Sequence, residues 1–511
     1  MLLHDLAATS HAVGAEPARN TKIALLADYL RGLGPGELPA AVALLSGESR
    51  RMRIGVGPAA LRDLPRPAGQ PVLGVGETQD ALTALAAVHG PGSQGERRRL
   101  LEALFAAATA QEQSFLSAVL VGELRQGALD AVVADAVARA AGVPPAEVRR
   151  ALMFRGSARA VAAAAMAGGR EALRAFGLEI GRPVRPMLAA AAPDVAAALE
   201  RVTPAALEWK LDGIRVQAHR DGDLITVFTR SLDDITSRVP EVVEAVRALP
   251  VRSAVLDGEA IAVGAEGRPL PFQVTAARTA SRQDPDRMRA EVPLRVYFFD
   301  LLHRDGCDLL DRPAQERWSA LDSVVPEELR VPRTVTTDPD RATRFFDDAL
   351  DHGQEGVVVK DPAAPYAAGR RGAGWIKVKP RHTLDLVVTA AEWGHGRRQG
   401  WLSNLHLAAR GEESDPAPWV MLGKTFKGLT DELLVWQTRE LLEREESRDG
   451  YVVRVRPELV VEVAFDGLQR SSRYPAGLAL RFARVLRYRE DKSAADADTV
   501  STVRALAPEA L

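Results

Sequence analysis

The hydrophobic pattern of this chain changes period twice, and that constrains its fold more than any other feature. Up to about Leu178, alanine- and leucine-rich runs at helical spacing cover residues 100–108, 115–124, 128–141 and 145–153. Gly127 and Gly142-Val143-Pro144 separate them, and Pro145 suits a first helical turn, where its missing N–H is no loss. From about Pro183 to Pro380 the pattern is mixed. Residues 214–220 and 223–228 alternate on either side of Asp221-Gly222, which predicts a hairpin. Residues 254–263, 294–299 and 356–360 predict further strands, with helices at 240–249 and 313–321. Beyond Arg381, short apolar runs (384–391, 401–409, 452–455, 459–465) alternate with turns, and one helical segment at 431–446 interrupts them. That suits a small barrel. The expectation is a multidomain α + α/β + β protein without internal repeats, divided as 1–182, 183–381 and 382–511.

At 511 residues the chain is long enough for roughly two to four domains. Cys307 is the only cysteine, which excludes an internal disulfide and a four-cysteine zinc site. The start, Met1-Leu2-Leu3-His4-Asp5, has no basic segment leading into an apolar core, and no run of about 18 apolar residues is free of charge. An intracellular, cytoplasmic protein is expected. The net charge of −2 argues on its face against a nucleic-acid partner, but local basic patches suffice to hold phosphates. Between Gly467 and Lys492 stand Arg470, Arg473, Arg481, Arg484, Arg487, Arg489 and Lys492 against Glu490 and Asp491. Arg97-Arg98-Arg99 and Arg50, Arg51 and Arg53 form smaller clusters. A solvated face is the bland reading of each.

Lysine is the scarce cation. Of 66 basic residues only eight are lysines, and seven of those lie between Lys210 and Lys492. Guanidinium stays charged, whereas an amine can lose a proton and attack. Lys210, in Glu208-Trp209-Lys210-Leu211-Asp212-Gly213, closes a strand-like segment before a turn pair that would expose its amine. Such a lysine becomes a nucleophile if its pKa falls. Lys377 and Lys379 alternate along Trp375-Ile376-Lys377-Val378-Lys379, point the same way, and are expected to depress that pKa while binding phosphate oxygens. Glu259, in Leu256-Asp257-Gly258-Glu259, and Glu355 are isolated carboxylates at strand ends, suited to a divalent cation that keeps most of its waters.

Taken one at a time, these motifs read as salt-bridged surface groups. Their order says more: Lys210-x-Asp212-Gly213, Asp257-Gly258-Glu259, Tyr297-Phe298-Phe299-Asp300, Glu355-Gly356 with Lys360, then Lys377-x-Lys379. This series resembles the motif set of the covalent nucleotidyltransferases, most closely the ATP-dependent DNA ligases. The stretch 480–492 is similar to that family's last motif, and Leu44-Leu45-Ser46-Gly47-Glu48 to its N-terminal DNA-binding domain.

The resemblance implies a helical DNA-binding domain, an adenylyltransferase domain of ATP-grasp-like mixed α/β form, and a C-terminal OB-fold barrel. It makes Lys210 the residue that attacks ATP and carries AMP. Glu208 would contact adenine and Phe299 would stack on it. Arg215 and Arg230 would hold ribose or phosphate, Glu259 the ribose, Lys377 and Lys379 the α-phosphate. Arg371 would be a further nucleotide contact, with Arg370 as its alternative, and Arg487 and Lys492 would orient pyrophosphate. Asp212, Glu259 and Glu355 would position Mg²⁺. The implied partner is nicked duplex DNA bound by a monomer, nucleoid-associated in the cytoplasm, in replication, repair or recombination. A final motif that approaches ATP and then withdraws implies a hinge near Pro380-Arg381.

Two rivals stand beside this reading: an RNA ligase or RNA-capping guanylyltransferase of the same superfamily, and a non-catalytic DNA-binding protein. NAD-dependent ligases resemble the chain less, because they use a cysteine zinc site. Gly423-Lys424-Thr425 imitates the end of a phosphate loop, but Pro418 stands where the first glycine is needed. The nine histidines lack metal-ligand spacing, so His303, His382 and His406 are expected to be surface or packing residues.

Overall fold

In the computed structural model the first helix is Leu3–Ala15 and the last of the helical region is Ala158–Arg174. Residues 1–507 are described, except 49–53, 91, 123, 125–128, 265–266, 282, 368–370, 381, 396–397, 413–414 and 416. Local chemistry sets several of the helix starts. Thr109 accepts from Glu112 N while Glu112 accepts from Thr109 N at 2.7 Å, a reciprocal cap for Ala110–Val121. Pro145 opens Pro145–Arg155 as its sequence position requires. Leu6, Leu30, Leu44, Leu82, Phe105, Leu116 and Val137 share one core. Met153 and Phe154 instead pack on Val184, Met187, Leu302, Tyr366 and Trp375. Arg150 adds a bidentate pair to Asp311 at 2.6 and 2.8 Å, so the helical region braces the back of the mixed region. None of the helices among the described residues is long and apolar enough to cross a membrane.

The mixed region contains β1 (Leu188–Ala191), β2 (Ala205–Trp209), β3 (Ile214–Asp221), β4 (Leu224–Thr229), β5 (Ser253–Ala262), β6 (Leu294–Arg304), β7 (Cys307–Asp308), β8 (Arg333–Thr336), β9 (Val357–Lys360) and β10 (Arg371–Val378). One sheet runs β1-β10-β9-β2-β8 and the other β4-β3-β5-β6-β7. The hairpin forms with Asp221 opposite Leu224, so its turn is Gly222-Asp223, one residue later than expected. Gly222 takes the left-handed φ of 59° that a tight turn demands. Helix Pro240–Arg247 closes the core under Val216, Val227, Leu256 and Phe298. Helices Phe272–Ala280 and Pro339–Asp351 lie outside the expected set; the second carries Ala342, Phe345, Phe346 and Ala349 among many charges.

In the last region His382–Trp393 pairs along its length with Leu402–Arg410, Val452–Val455 and Val460–Phe465, and the last of these pairs with Arg484–Tyr488. The helix expected to reach residue 446 ends earlier, as Asp431–Glu443. Glu445–Asp449 forms a strand against Val452–Val455, with Gly450 at φ 57° in the turn; pairing overrides the helical propensity of its glutamates. Gly423-Lys424-Thr425 lies inside strand Trp419–Thr425, which rules out a phosphate loop. His303 pairs with Asp308 at 2.7 Å, His406 with Glu392 at 3.0 Å, and His382 packs on Phe465, so all three are structural.

Candidate active site

Two backbone hydrogen bonds fix the geometry of Lys210. Where the chain leaves β2, Lys210 N donates to Gly356 O at 2.8 Å and Glu355 N donates to Lys210 O at 2.9 Å. This sets Lys210 and Glu355 face to face just before β9. Gly356 makes the approach possible: its φ is 134°, and a Cβ would sit 2.2 Å from Val378 O. Gly213 is equally tight, since a Cβ there would lie 2.3 Å from Ala260 O.

The Lys210 ammonium pairs with Glu355 Oε2, and Lys379 pairs with Glu355 Oε1. Burial pushes the Lys210 amine down, but Glu355, Glu259 and Asp212 outweigh it and the net direction is up. The expected depression by Lys377 and Lys379 is therefore absent. Lys379 spends its charge on the same carboxylate, which Lys210 and Lys379 together hold low against the push of burial. Lys377 moves down, through burial and then the repulsion of Lys379 and Lys210.

A cleft of about 1210 Å³ opens over this pair. Glu208, Asp212, Arg215, Arg230, Glu259, Phe299, Glu355, Lys377 and Lys379 line it with Lys210. At its closed end Glu208 is buried and accepts from Arg333 Nε at 2.7 Å. Phe299 meets Trp375 edge-on at 5.7 Å. Arg215 donates to both oxygens of Asp257 (2.9 and 2.6 Å), to Met187 O (2.6 Å) and to Tyr366 (3.2 Å). Four of its five N–H donors are thus used, leaving one for a ligand.

Arg487 and Lys492 do not join the site. Arg487 pairs with Glu462 at 2.6 Å and Lys492 with Asp385 at 2.6 Å, both within the last region. The separate hairpin of Gly467–Arg470 and Leu478–Arg481, with the loops beside it, reaches the cleft instead, bringing Lys427, Asp466, Arg481 and Phe482. Arg481 donates to Asp212 at 3.2 Å, and Lys379 lies 3.4 Å from Asp466. The side chain of Arg371 lies outside the described residues, as do Arg370, Arg50, Arg51, Arg53 and Arg381, where a hinge was expected. Of the other basic cluster, Arg98 and Arg99 pair with Glu102 and Glu96 on their own helix.

Comparison with known proteins supplies the decisive observation. Residues 64–138, 186–379 and 398–492 match the family models "DNA ligase N terminus", "ATP dependent DNA ligase domain" and "ATP dependent DNA ligase C terminal region". A probable DNA ligase of Beutenbergia cavernae is 58% identical, covering 99% of this chain and 100% of its own. One from Streptomyces griseus is 58% identical over 98% and 99%. The chain belongs to the ATP-dependent DNA ligase family. A solved structure described as Pmar-Lig_Pre shares the fold at a TM-score of 0.60 and 19% identity, over 95% of this chain and 99% of that one. Membership makes this an ATP-using DNA ligase and disfavours both the RNA-directed and the non-catalytic readings.

Within this ligase the trio Asp212, Glu259 and Glu355 is not a preformed metal centre. Among the described residues no three acidic, histidine or cysteine side chains are grouped to hold an ion. Asp212 and Glu355 are occupied by Arg481, Lys210 and Lys379. Glu259 differs: burial pushes it up to about 7, with Lys210 and Arg215 offsetting this only in part. A carboxylate this short of positive charge fits a cation that arrives with a nucleotide and takes one protein ligand. Arg333, Asp257, Tyr366, Trp375 and Asp466 were not singled out from sequence, and Arg481 was named only within a basic cluster and the last motif. Asp257 and Trp375 stood inside quoted motifs, which was a signal; Arg333 and Tyr366 carried none, because fold alone brings them in.

Proposed function

We propose that the protein seals nicks in duplex DNA through a lysyl-AMP intermediate. The ion-paired Lys210 on the cleft floor, with Arg215, Lys377 and Lys379 around it, carries the proposal. Lys210 must first lose its proton, and Glu355 Oε2, already in contact, can take it. The Nζ–phosphorus bond then forms at the α-phosphate as the bond to pyrophosphate breaks. A nick's 5′-phosphate next displaces Lys210 from AMP, and the 3′-hydroxyl finally expels AMP. Each step is a displacement at phosphorus, so one cluster of cations serves all three. Bound Mg²⁺ would neutralise phosphate charge, with Glu259 as its protein ligand and Asp212 and Glu355 nearby.

Glu208 and Phe299 hold the base, Glu259 the ribose, Arg215 and Arg230 ribose or phosphate, and Arg371 a further part of the nucleotide. Residues 1–182 serve as a helical DNA-binding domain, 183–381 as the adenylation domain and 382–511 as an OB-fold. Arg487 and Lys492 swing in about Pro380-Arg381 for the first step only. A cytoplasmic monomer acting in replication, repair or recombination completes the proposal. The test is end-joining of a nicked DNA duplex against the same nick in RNA, with ATP and Mg²⁺. Sealing of DNA is expected, and sealing of RNA alone would overturn the proposal.

A further inference from the structure

Tyr366 takes no part in the chemistry above, yet its hydroxyl sits where three segments of the chain meet. The side chain is 2% exposed and belongs to the connection between β9 and β10, behind the cleft wall. That connection is anchored on helix Ala314–Asp322. Ala314 N donates to Ala364 O at 3.0 Å, Gln315 N to Pro362 O at 2.9 Å, and Arg317 Nη1 to Ala364 O at 3.1 Å. The ring meets Trp375 edge-on at 6.0 Å. A phenylalanine would pack equally well there, so the hydroxyl is the part that needs a reason.

A phenol hydroxyl has one donor and two acceptor lone pairs, and here all three are used. It donates to Asp257 Oδ2 at 2.7 Å and accepts from Met187 N at 3.1 Å and from Arg215 Nη2 at 3.2 Å. Asp257 and Met187 are also the other two partners of Arg215, which donates to the carboxylate from Nε and Nη2 and to Met187 O from Nη1. One hydroxyl therefore grips the guanidinium and both of the groups that hold it. The single N–H left over is on Nη1, and Arg215 lines the cleft. Burial, then the Asp257 carboxylate, push the phenol well above the ordinary tyrosine value, so it stays a donor at any working pH.

We propose that Tyr366 is a positioning residue for nucleotide binding: its hydroxyl locks Asp257 and the Met187 peptide around Arg215, so that the remaining Nη1 N–H is aimed at the bound nucleotide. This rests on the lysyl-AMP reading, with Arg215 on the ribose or phosphate. As a packing residue, or a pin for the chain entering β1, Tyr366 would act on stability alone and independently of Arg215.

The full-length protein, stripped of AMP with pyrophosphate, is given ATP and Mg²⁺ well below its Tm, and covalent AMP is followed with time. Wild type, Tyr366→Phe, Arg215→Lys and the double variant are compared. Tyr366→Phe should lower kcat/KM about 10-fold, the scale of one hydrogen bond to a charged group. Arg215→Lys keeps a cation beside Asp257 but loses the fork, and should lose at least as much. Adding Tyr366→Phe to Arg215→Lys should then change the rate by less than about 2-fold, because the hydroxyl has no fork left to aim. An equal loss in both backgrounds, or none in wild type, overturns the proposal. Should Arg215→Lys fail to fold, ATP is compared with 2′-deoxy-ATP, 3′-deoxy-ATP and the α-thio analogue in wild type and Tyr366→Phe. Narrowing of the ratio for one analogue is expected; one common factor for all four nucleotides overturns the proposal. Arg215→Lys as active as wild type removes Arg215 from nucleotide binding and overturns it as well. Wild-type protein that takes no AMP from ATP overturns the lysyl-AMP reading, and shows it before any variant is made.

Discussion

At the scale of the residue, the resting state holds the proposed nucleophile in check. Lys210 is an ammonium bound to Glu355, so attack requires that proton to leave first. Glu355→Gln removes the largest upward influence on Lys210, so its pKa should fall. The acid limb of adenylation against pH should then move to lower pH even as the plateau drops; an unmoved midpoint would contradict the pairing. Glu259 gives a second test through stability. Its folded pKa, about 7, lies above the unfolded glutamate value of about 4.3, so its burial costs nothing below about pH 4, and the cost grows up to about pH 7. Glu259→Gln should therefore raise the Tm at pH 8 and leave it nearly unchanged at pH 4. Glu392 works the opposite way. Lys424, His406 and Asn404 outweigh burial and hold it at about 2. Its contribution is present above about pH 4.3 and lost as pH falls toward 2. Urea midpoints of wild type and Glu392→Gln should converge over that range.

At the scale of the element, many of the strands were legible because alternation and turn residues are local signals. The hairpin, the buried β5 and β6, and the helix at Pro240–Arg247 all follow from them. Partnerships across the sheet were not legible. Glu208 meets Arg333 from 125 positions away, and nothing in either segment announces the other. The pKa of Lys210 was misjudged for the same reason: spacing put lysines near it but did not show that Glu355 would sit between them. The glycine at 356 carries the critical register. Gly356→Ala forces a Cβ against Val378 O at φ 134°, and should cost at least about 1–3 kcal/mol in urea unfolding while disrupting the Lys210–Glu355 contact.

At the scale of the molecule, the last region sends Arg481 to the cleft from a separate hairpin, while Arg487 and Lys492 pair elsewhere. The links across that boundary, Arg481–Asp212 and Lys379–Asp466, are partly exposed and worth about 0–1 kcal/mol each, so they can release. Arg487→Ala should slow adenylation by ATP about 10²-fold yet spare sealing of a nick that already carries AMP. Equal loss in both assays would contradict a role for Arg487 in the first step alone. The measurement that bears most directly on the whole account is peptide mapping by mass spectrometry after incubation with ATP and Mg²⁺. The prediction is one added AMP, acid-labile, on Lys210 and absent from Lys210→Ala; AMP on another residue, or none, would contradict it.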